Sequence, residues 1–292
     1  MDVVITYVDG NDPVWQKDYQ KYIDVPVLQK RFRDWGTLKY LLRGIEVNMP
    51  FIRNVYLVVS HPSQVPEWAD RENLHIVLHS DIIPSEYLPT FNSTTIEMFL
   101  HRIEGLDEEY LYFNDDIFPV APCRPEDFFR EGRAVIGMSR HFLISGMYKR
   151  HVRRSDRLAR QALGLPSSVS FIRPQHACIP VLRSQSEEIS KLQKDAVYSS
   201  LSRVRNDGNI NMTLFLSYMY HNGLVVNERL SCRHISLAAT TEGRLRKSIA
   251  RPERKLLCIN DVKLDENKFV SYRNLITDMF EARFPDKSRF EI

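Results

Sequence analysis

Val3-Val4-Ile5-Thr6-Tyr7-Val8 is an unbroken β-branched and aromatic run that stops at Asp9-Gly10-Asn11-Asp12-Pro13. A run of this kind, closed by turn residues, predicts a buried strand. Leu38, Leu41, Leu42 and Ile45 then recur at helical spacing. Apolar runs at 54–60 and 74–78 predict two further strands. Ile96, Phe99, Leu100 and Ile103 share one helical face, with Thr94 and Glu97 at capping-box spacing. Tyr110-Leu111-Tyr112-Phe113 predicts another buried strand, and Ala134 to Met138 one more. Strands that alternate with helices argue for an α/β fold, a mostly parallel Rossmann-like sheet flanked by helices.

Beyond about residue 140 the pattern changes. Gly164-Leu165-Pro166-Ser167-Ser168 signals a loop. Helices are predicted over 184–201, with Ser184 and Glu187 as its capping box, over 210–221 and over 267–282. The expected organisation is an α/β core over 1–140 and a mainly helical portion over 141–292. Together they form one compact unit, the helical portion completing its cleft.

Composition refines this picture only slightly. With 43% hydrophobic and 26% charged residues, the 292-residue chain is an ordinary globular protein. A net charge of +3 gives no case for nucleic acid. The basic residues do cluster locally: Arg140, Lys149, Arg150, Arg153, Arg154, Arg157 and Arg160 in one stretch, Arg244 to Lys255 in another. Each stretch reads either as a solvated face or as a surface for phosphates, an anionic polymer or a membrane. Cys123, Cys178, Cys232 and Cys258 are too scattered for a zinc site or a disulfide framework and suit a reducing compartment. Without a membrane-length apolar run or a signal peptide, the expectation is a cytoplasmic protein, with peripheral association at the inner membrane face left open. The sequence carries no signal of oligomeric state.

Candidate chemistry lies at the ends of the apolar elements. Asn114-Asp115-Asp116 follows the 110–113 run. In open α/β sheets ligands bind beyond the carboxyl ends of strands. Adjacent carboxylates there repel unless a cation or proton lies between them. A divalent metal on a phosphate-bearing substrate supplies that cation, whereas an ordinary Asx turn explains the same residues without one. Asp9 is placed to contact a nucleoside. Arg31 and Arg33 are two apart on an extended segment and could face a pyrophosphate together; an ion pair with Asp34 competes. Asn92 precedes a helix start, either as a phosphate or sugar contact or as a plain N-cap. His176 is a candidate proton acceptor, and the Arg203–Asp207 stretch offers further cations. No Walker loop, G-x-G-x-x-G, H-E-x-x-H or G-x-S-x-G occurs.

The order of these segments resembles the four blocks of the Stealth family of sugar-phosphate transferases. Asp2 to Trp15 is similar to the first block. Arg31-Phe32-Arg33-Asp34, Leu88 to Ser93 and Tyr112 to Asp116 resemble the second. His176 through Arg203-Val204-Arg205 and the following helix resemble the third. Cys258-Ile259-Asn260-Asp261 and Phe284 to Glu291 resemble the fourth. Departures fall at His61-Pro62-Ser63, at Ala177 to Pro180 after His176, and at Asn209, where an aspartate is usual. A neutral amide there would weaken any metal set that used the position.

The resemblance implies a GT-A-like fold and transfer of a sugar-1-phosphate from a nucleotide sugar, UDP-GlcNAc or similar, to a glycan hydroxyl in capsule or cell-surface polysaccharide synthesis. It implies Mg²⁺ or Mn²⁺ held by Asp115 and Asp116. Arg31, Arg33 and Arg205 would neutralise phosphate charge, with His176 as base and Asp116 as the second candidate. Asp9, Asp34 and Asn92 would contact the donor. A metal-dependent glycosyltransferase that releases nucleoside diphosphate, and a non-catalytic glycan- or nucleotide-binding module, are the alternatives.

Overall fold

The structure, a computed structural model, describes residues 1–23, 32–260 and 264–292. Along the chain it runs β1 (Asp2–Thr6), α1 (Pro13–Tyr22), α2 (Leu38–Asn48), β2 (Val55–Val59), β3 (Leu74–Leu78), α3 (His79–Ile82), α4 (Ser93–Glu97), β4 (Glu109–Asn114) and β5 (Ile117–Pro119). Three short strands follow, β6 (Phe129–Arg130), β7 (Arg133–Val135) and β8 (Met138–His141), and then α5 (Gly146–Ala162). Next come β9 (Phe171–Pro174), β10 (Ile179–Leu182), α6 (Arg183–Leu192), α7 (Lys194–Ser200), α8 (Thr213–His221) and β11 (Val225–Val226). β12 (Cys232–Ser236), α9 (Glu242–Ala250), β13 (Leu256–Asn260) and α10 (Glu266–Arg283) complete the described elements.

The fold is α/β. Its mostly parallel central sheet has the order β10-β4-β1-β2-β3. β2 buries all of its residues and β1 all but Thr6, which is why these segments show no polar alternation. β10 is the antiparallel exception, with Ile179 opposite Tyr112 and Leu182 opposite Glu109.

The chain forms two compact units. One comprises Met1–Val4, Val77–Tyr112 and Pro125–Leu230. Here α5 packs on α8 and β9. α5 turns His151, Val152, Ser155, Leu158 and Ala159 inward at helical spacing, and α8 is buried over Thr213–Met219. The other unit comprises Ile5–Ile76, Phe113–Arg124 and Ser231–Ile292. Its core sets Phe280 of α10 against Phe118 at 4.6 Å and Tyr40 at 5.8 Å between ring centroids. β13 pairs with β12 in parallel and with β5 antiparallel. Both units draw on both halves of the chain, so neither has an edge at residue 140.

Several expected elements take a different form. The helix expected to carry Ile96 to Ile103 ends at Glu97 and continues as a short 3-10 turn over Leu100–Arg102. All four apolar residues are nevertheless buried. Its N-cap is Asn92, not Thr94, because the Asn92 side chain accepts the Thr94 N–H at 3.1 Å. The single helix over 184–201 is two, broken at Gln193. Ser184 caps neither; its hydroxyl donates to Glu108 at 2.5 Å. The region after 140 holds β9 to β13 as well as helices, because its apolar runs are too short to show a period. No helix among the described residues is long and apolar enough to cross a membrane.

Candidate active site

Asp115 and Asp116 form the two-residue turn between β4 and β5. The expected turn is there, and it sets the two carboxylates on successive residues. The β5–β13 ladder sets Cys258 opposite Ile117, and the Ile259 N–H donates to the Asp116 carbonyl at 2.8 Å. This register brings the Cys258 thiol to the Asp116 carboxylate at 3.5 Å. Burial, reinforced by the charge of Asp116, pushes the Cys258 thiol far up. Burial and the same charge push Cys232 up to about 12.

Asp34 acts on the pair directly, and Asp9 acts on Asp34. Asp34 accepts the Gly36 N–H at 2.9 Å and the Tyr7 hydroxyl. Burial and then the charge of Asp9 outweigh these bonds and Arg273, so Asp34 titrates above the ordinary carboxylate range. Tyr7 is raised by burial and by Asp34, Asp9 and Asp115, which keeps its hydroxyl protonated as a donor. The Asp115 carboxyl is pushed up to about 7 by loss of hydration among the surrounding chain, then by the charges of Asp116 and Asp34. Asp115 is exposed, so the like charges of Asp116 and Asp34 carry the upward shift as much as desolvation does.

The turn that carries Asp9 is held by backbone geometry. Gly10 donates to the Phe32 carbonyl at 2.8 Å, and a Cβ at position 10 would collide with that oxygen and the Phe32 side chain. Gln64 accepts the Asp9 N–H at 2.7 Å and donates to the Asp9 carbonyl at 3.1 Å. Asp12 caps α1 by accepting Val14 N–H at 2.7 Å, and also accepts from Gln64 at 2.8 Å and from Ser63. Against the cost of burial, these bonds hold Asp12 below the ordinary carboxylate range. Position 63 at the unusual His61-Pro62-Ser63 segment thus braces the first acidic loop.

Asp34, Asp115 and Asp116 interact electrostatically, and Asp9 acts on Asp34 and Tyr7, with Arg273 as a counter-charge to Asp34. The adjacent carboxylates of Asp115 and Asp116 offer hard oxygens, which suit Mg²⁺ or Mn²⁺ better than a soft metal. Arg33 is engaged elsewhere: it pairs with Glu266 at 2.5 Å and stacks over Phe269 at 4.4 Å, instead of pairing with Asp34. Arg31 and Asp261 lie outside the described residues.

The remaining candidates belong to the other unit. Asn92 is 1% exposed. Its carbonyl accepts the Thr94 hydroxyl at 2.8 Å as well as the Thr94 N–H, and its amide donates to Ser202 and Asn209 at 3.2 Å. The capping role therefore accounts for its polar atoms. Asn209 is equally buried. Its carbonyl accepts Asn206 N–H at 2.7 Å, and its amide donates to the Ser200 carbonyl at 2.6 Å and Ser202 Oγ at 2.8 Å. The amide at this position fastens the 200–209 loop. That loop carries Arg205, whose guanidinium donates to Ser93 Oγ and lies near Glu97. Loss of hydration holds Glu97 above the ordinary carboxylate range, against the Met212 N–H at 3.1 Å and Arg205. His176 is half-buried in the turn between β9 and β10.

Tyr7, read from the sequence only as part of the first strand, and Arg273 were not among the candidate site residues. Tyr7 and Asp9 lie in the segment that follows β1, two residues apart. Arg273 sits on α10 with no local signal.

Residues 31–136 match the description "Stealth protein CR2, conserved region 2". A capsular polysaccharide phosphotransferase, WcwK, of Streptococcus pneumoniae is 30% identical, the alignment covering 100% of this chain and 98% of the relative. A receptor polysaccharide phosphotransferase, WefC, of Streptococcus oralis is 29% identical over 100% and 99%. A capsular polysaccharide phosphotransferase of Neisseria meningitidis serogroup B is 28% identical over 96% and 83%. Among crystal structures, a galactosyltransferase with donor and acceptor sugar analogues superposes with a TM-score of 0.46 at 12% identity, covering 99% of this chain and 98% of that one.

Proposed function

This chain belongs to the Stealth family, and from that premise we propose that it moves a sugar-1-phosphate from a nucleotide-sugar donor to a hydroxyl of a polysaccharide acceptor. A phosphotransferase role in polysaccharide synthesis follows from its relatives. The observation that supports a metal-assisted diphosphate reaction is the adjacent carboxylate pair Asp115–Asp116 in the β4–β5 turn, with Asp34 in electrostatic reach. In this reading the acceptor oxygen bonds to the β-phosphorus of the donor. The bond from that phosphorus to the bridging oxygen breaks, and nucleoside monophosphate departs with the electron pair. Phosphoryl transfer of this kind depends on positioning and charge neutralisation.

Asp115 and Asp116 would hold Mg²⁺ or Mn²⁺, which when bound neutralises diphosphate charge. Tyr7, fixed by Asp34, donates a hydrogen bond within the acidic cluster. Asp9 orients the nucleoside from the Gly10 turn. Arg205, with Arg31 and with Arg33 once it exchanges Glu266 for phosphate, offsets negative charge on the transferred group, and Asn92 acts by holding the 200–209 loop. His176 takes the acceptor proton.

Incubation with UDP-GlcNAc and a panel of other nucleotide sugars, with Mg²⁺ or Mn²⁺ and a glycan acceptor, should release nucleoside monophosphate. Release of diphosphate alone would point to ordinary glycosyl transfer. Donor binding without any turnover across the panel would leave a binding module. Asp116→Ala should abolish turnover, and His176→Ala should lower it by about 10²–10⁴-fold. Near-normal rates in either variant overturn the role assigned to that residue.

A further inference from the structure

α5 carries Arg150, Arg153, Arg154, Arg157 and Arg160 on the face opposite its buried residues. From Arg150 to Arg160 this face covers about 15 Å of helix axis. It forms one wall of a cavity of about 790 Å³. The other wall is the 164–171 segment, which turns back at the helix end. There the Leu165 N–H donates to the Arg160 carbonyl at 2.9 Å and the Gly164 N–H to the Gln161 carbonyl at 3.1 Å. This paired arrangement, with Gly164 at a φ of +65°, folds the chain back along the helix. Ser167, Ser168 and Ser170 line that wall, with Leu165 beside them.

Two carboxylates, Asp156 and Asp207, share the cavity with the five arginines. Asp207 pairs with Arg150 at 2.8 Å. Asp156 lies 2.8 Å from His221 and 3.4 Å from Arg160. Arg154 donates to the Gly208 carbonyl at 2.7 Å. Arg153 and Arg157 are exposed, and neither has a hydrogen bond or ion pair among the described residues. Like charges at i, i+3 and i, i+4 weaken a helix, so this array is unfavourable until an anion meets it.

We propose that this groove binds the phosphodiester backbone of an anionic acceptor glycan. The proposal rests on the phosphotransferase reading above, because each sugar-1-phosphate added to a hydroxyl leaves one negatively charged phosphodiester in the product. A chain elongated in this way is a regular polyanion. Arginine forks suit its phosphate oxygens, the serine hydroxyls its polar groups, and Ile144 and Leu165 the flat faces of its sugars. A concave wall of this kind receives a strand, whereas a bilayer presents a plane.

The test uses the full chain without donor or metal, titrated with a synthetic phosphodiester-linked hexose oligomer. Controls are a neutral, glycosidically linked oligomer of the same sugar and phosphatidylglycerol vesicles. The phosphodiester oligomer should bind at least tenfold more tightly than the neutral one, and the difference should shrink as salt rises. R153E/R157E should weaken its binding at least tenfold, and R153Q/R157Q by a smaller factor. Thermal melts of both variants should be no lower than the parent's, since neither arginine has a partner to lose among the described residues and each change relieves like-charge repulsion on α5.

Binding of R153E/R157E within twofold of the parent overturns the proposal, as does equal affinity for the two oligomers. Vesicle binding without oligomer binding overturns it in favour of a membrane surface. Because no donor is present, a lack of turnover elsewhere defeats the reaction reading while leaving this binding result intact.

Discussion

Asp115 is the residue on which the candidate chemistry turns. Its carboxyl is pushed up to about 7, against an ordinary value near 4 for an unfolded chain. Between those values the folded protein binds a proton that the unfolded chain has released. Its contribution to stability is therefore present below about pH 4 and is lost as pH rises through about 7. Melting of the protein in EDTA should show this decline, and Asp115→Asn should remove it and melt higher at pH 8. A flat pH profile for the parent in this window would contradict the crowding described at the turn. Mg²⁺ or Mn²⁺ competes with the same proton, so either ion should raise the melting temperature more at pH 8 than at pH 5.5. At this scale the sequence was informative wherever a polar residue follows a strand, as with Asp9, Asp115 and Asp116. It was silent where the partner comes from a distant helix, as with Arg273 beside Asp34. It also could not show that the Asn92 and Asn209 amides are filled by loop backbone and hydroxyls, since those partners lie more than a hundred residues apart for Asn92.

α2 and α10 appear where the sequence placed them. α1 and α5 went unnoticed: α5 is strongly amphipathic, but its arginines read as a basic surface stretch and its buried face mixes Val152, Leu158 and Ala159 with His151, Ser155 and Asp156. Two substitutions probe how loops set the candidate residues. Gly10→Ala drives a methyl into the Phe32 backbone and should cost about 1–3 kcal/mol in chemical denaturation. Because Asp9 is the adjacent residue, the same variant should show a smaller metal-induced rise in melting temperature. Asn92→Ala removes the α4 cap and leaves buried partners on the 200–209 loop unsatisfied, a loss of about 1–3 kcal/mol. Denaturation midpoints equal to the parent's would show that these loops are held by something else.

For the whole molecule, hydrophobic patterning was enough for the α/β class and for β1 to β4 of the central sheet, but not for β10 at its edge or for the division into units. A compact unit is defined by long-range contacts, and those leave no mark on local periodicity. The clearest such contact is a buried ion pair. Arg43 of α2 donates two bonds of 2.8 Å to Glu291, a third of 2.7 Å to the Phe284 carbonyl and a fourth of 3.2 Å to Glu281. Both side chains of the Arg43–Glu291 pair are at most 5% exposed. Arg43→Ala strands a buried carboxylate and should destabilise by about 3–5 kcal/mol, whereas the paired replacement R43M/E291L should cost much less. Although burial opposes it, Arg43 holds Glu291 below the ordinary carboxylate range. This contribution is therefore present above that range and fades as pH falls through the folded value. A parent–Arg43→Ala difference that stays constant down to pH 3 would refute it.

The same pair sets an order on biosynthesis. Arg43 and Glu291 are 248 residues apart. A nascent chain exposes α2 on the ribosome long before its partner emerges from the exit tunnel. Until then the guanidinium of α2 and the apolar surface that meets Phe280 must wait without their native cover. The unit that holds α2 thus closes only after its 231–292 segment has been made, and through that interval its uncovered apolar surface favours aggregation.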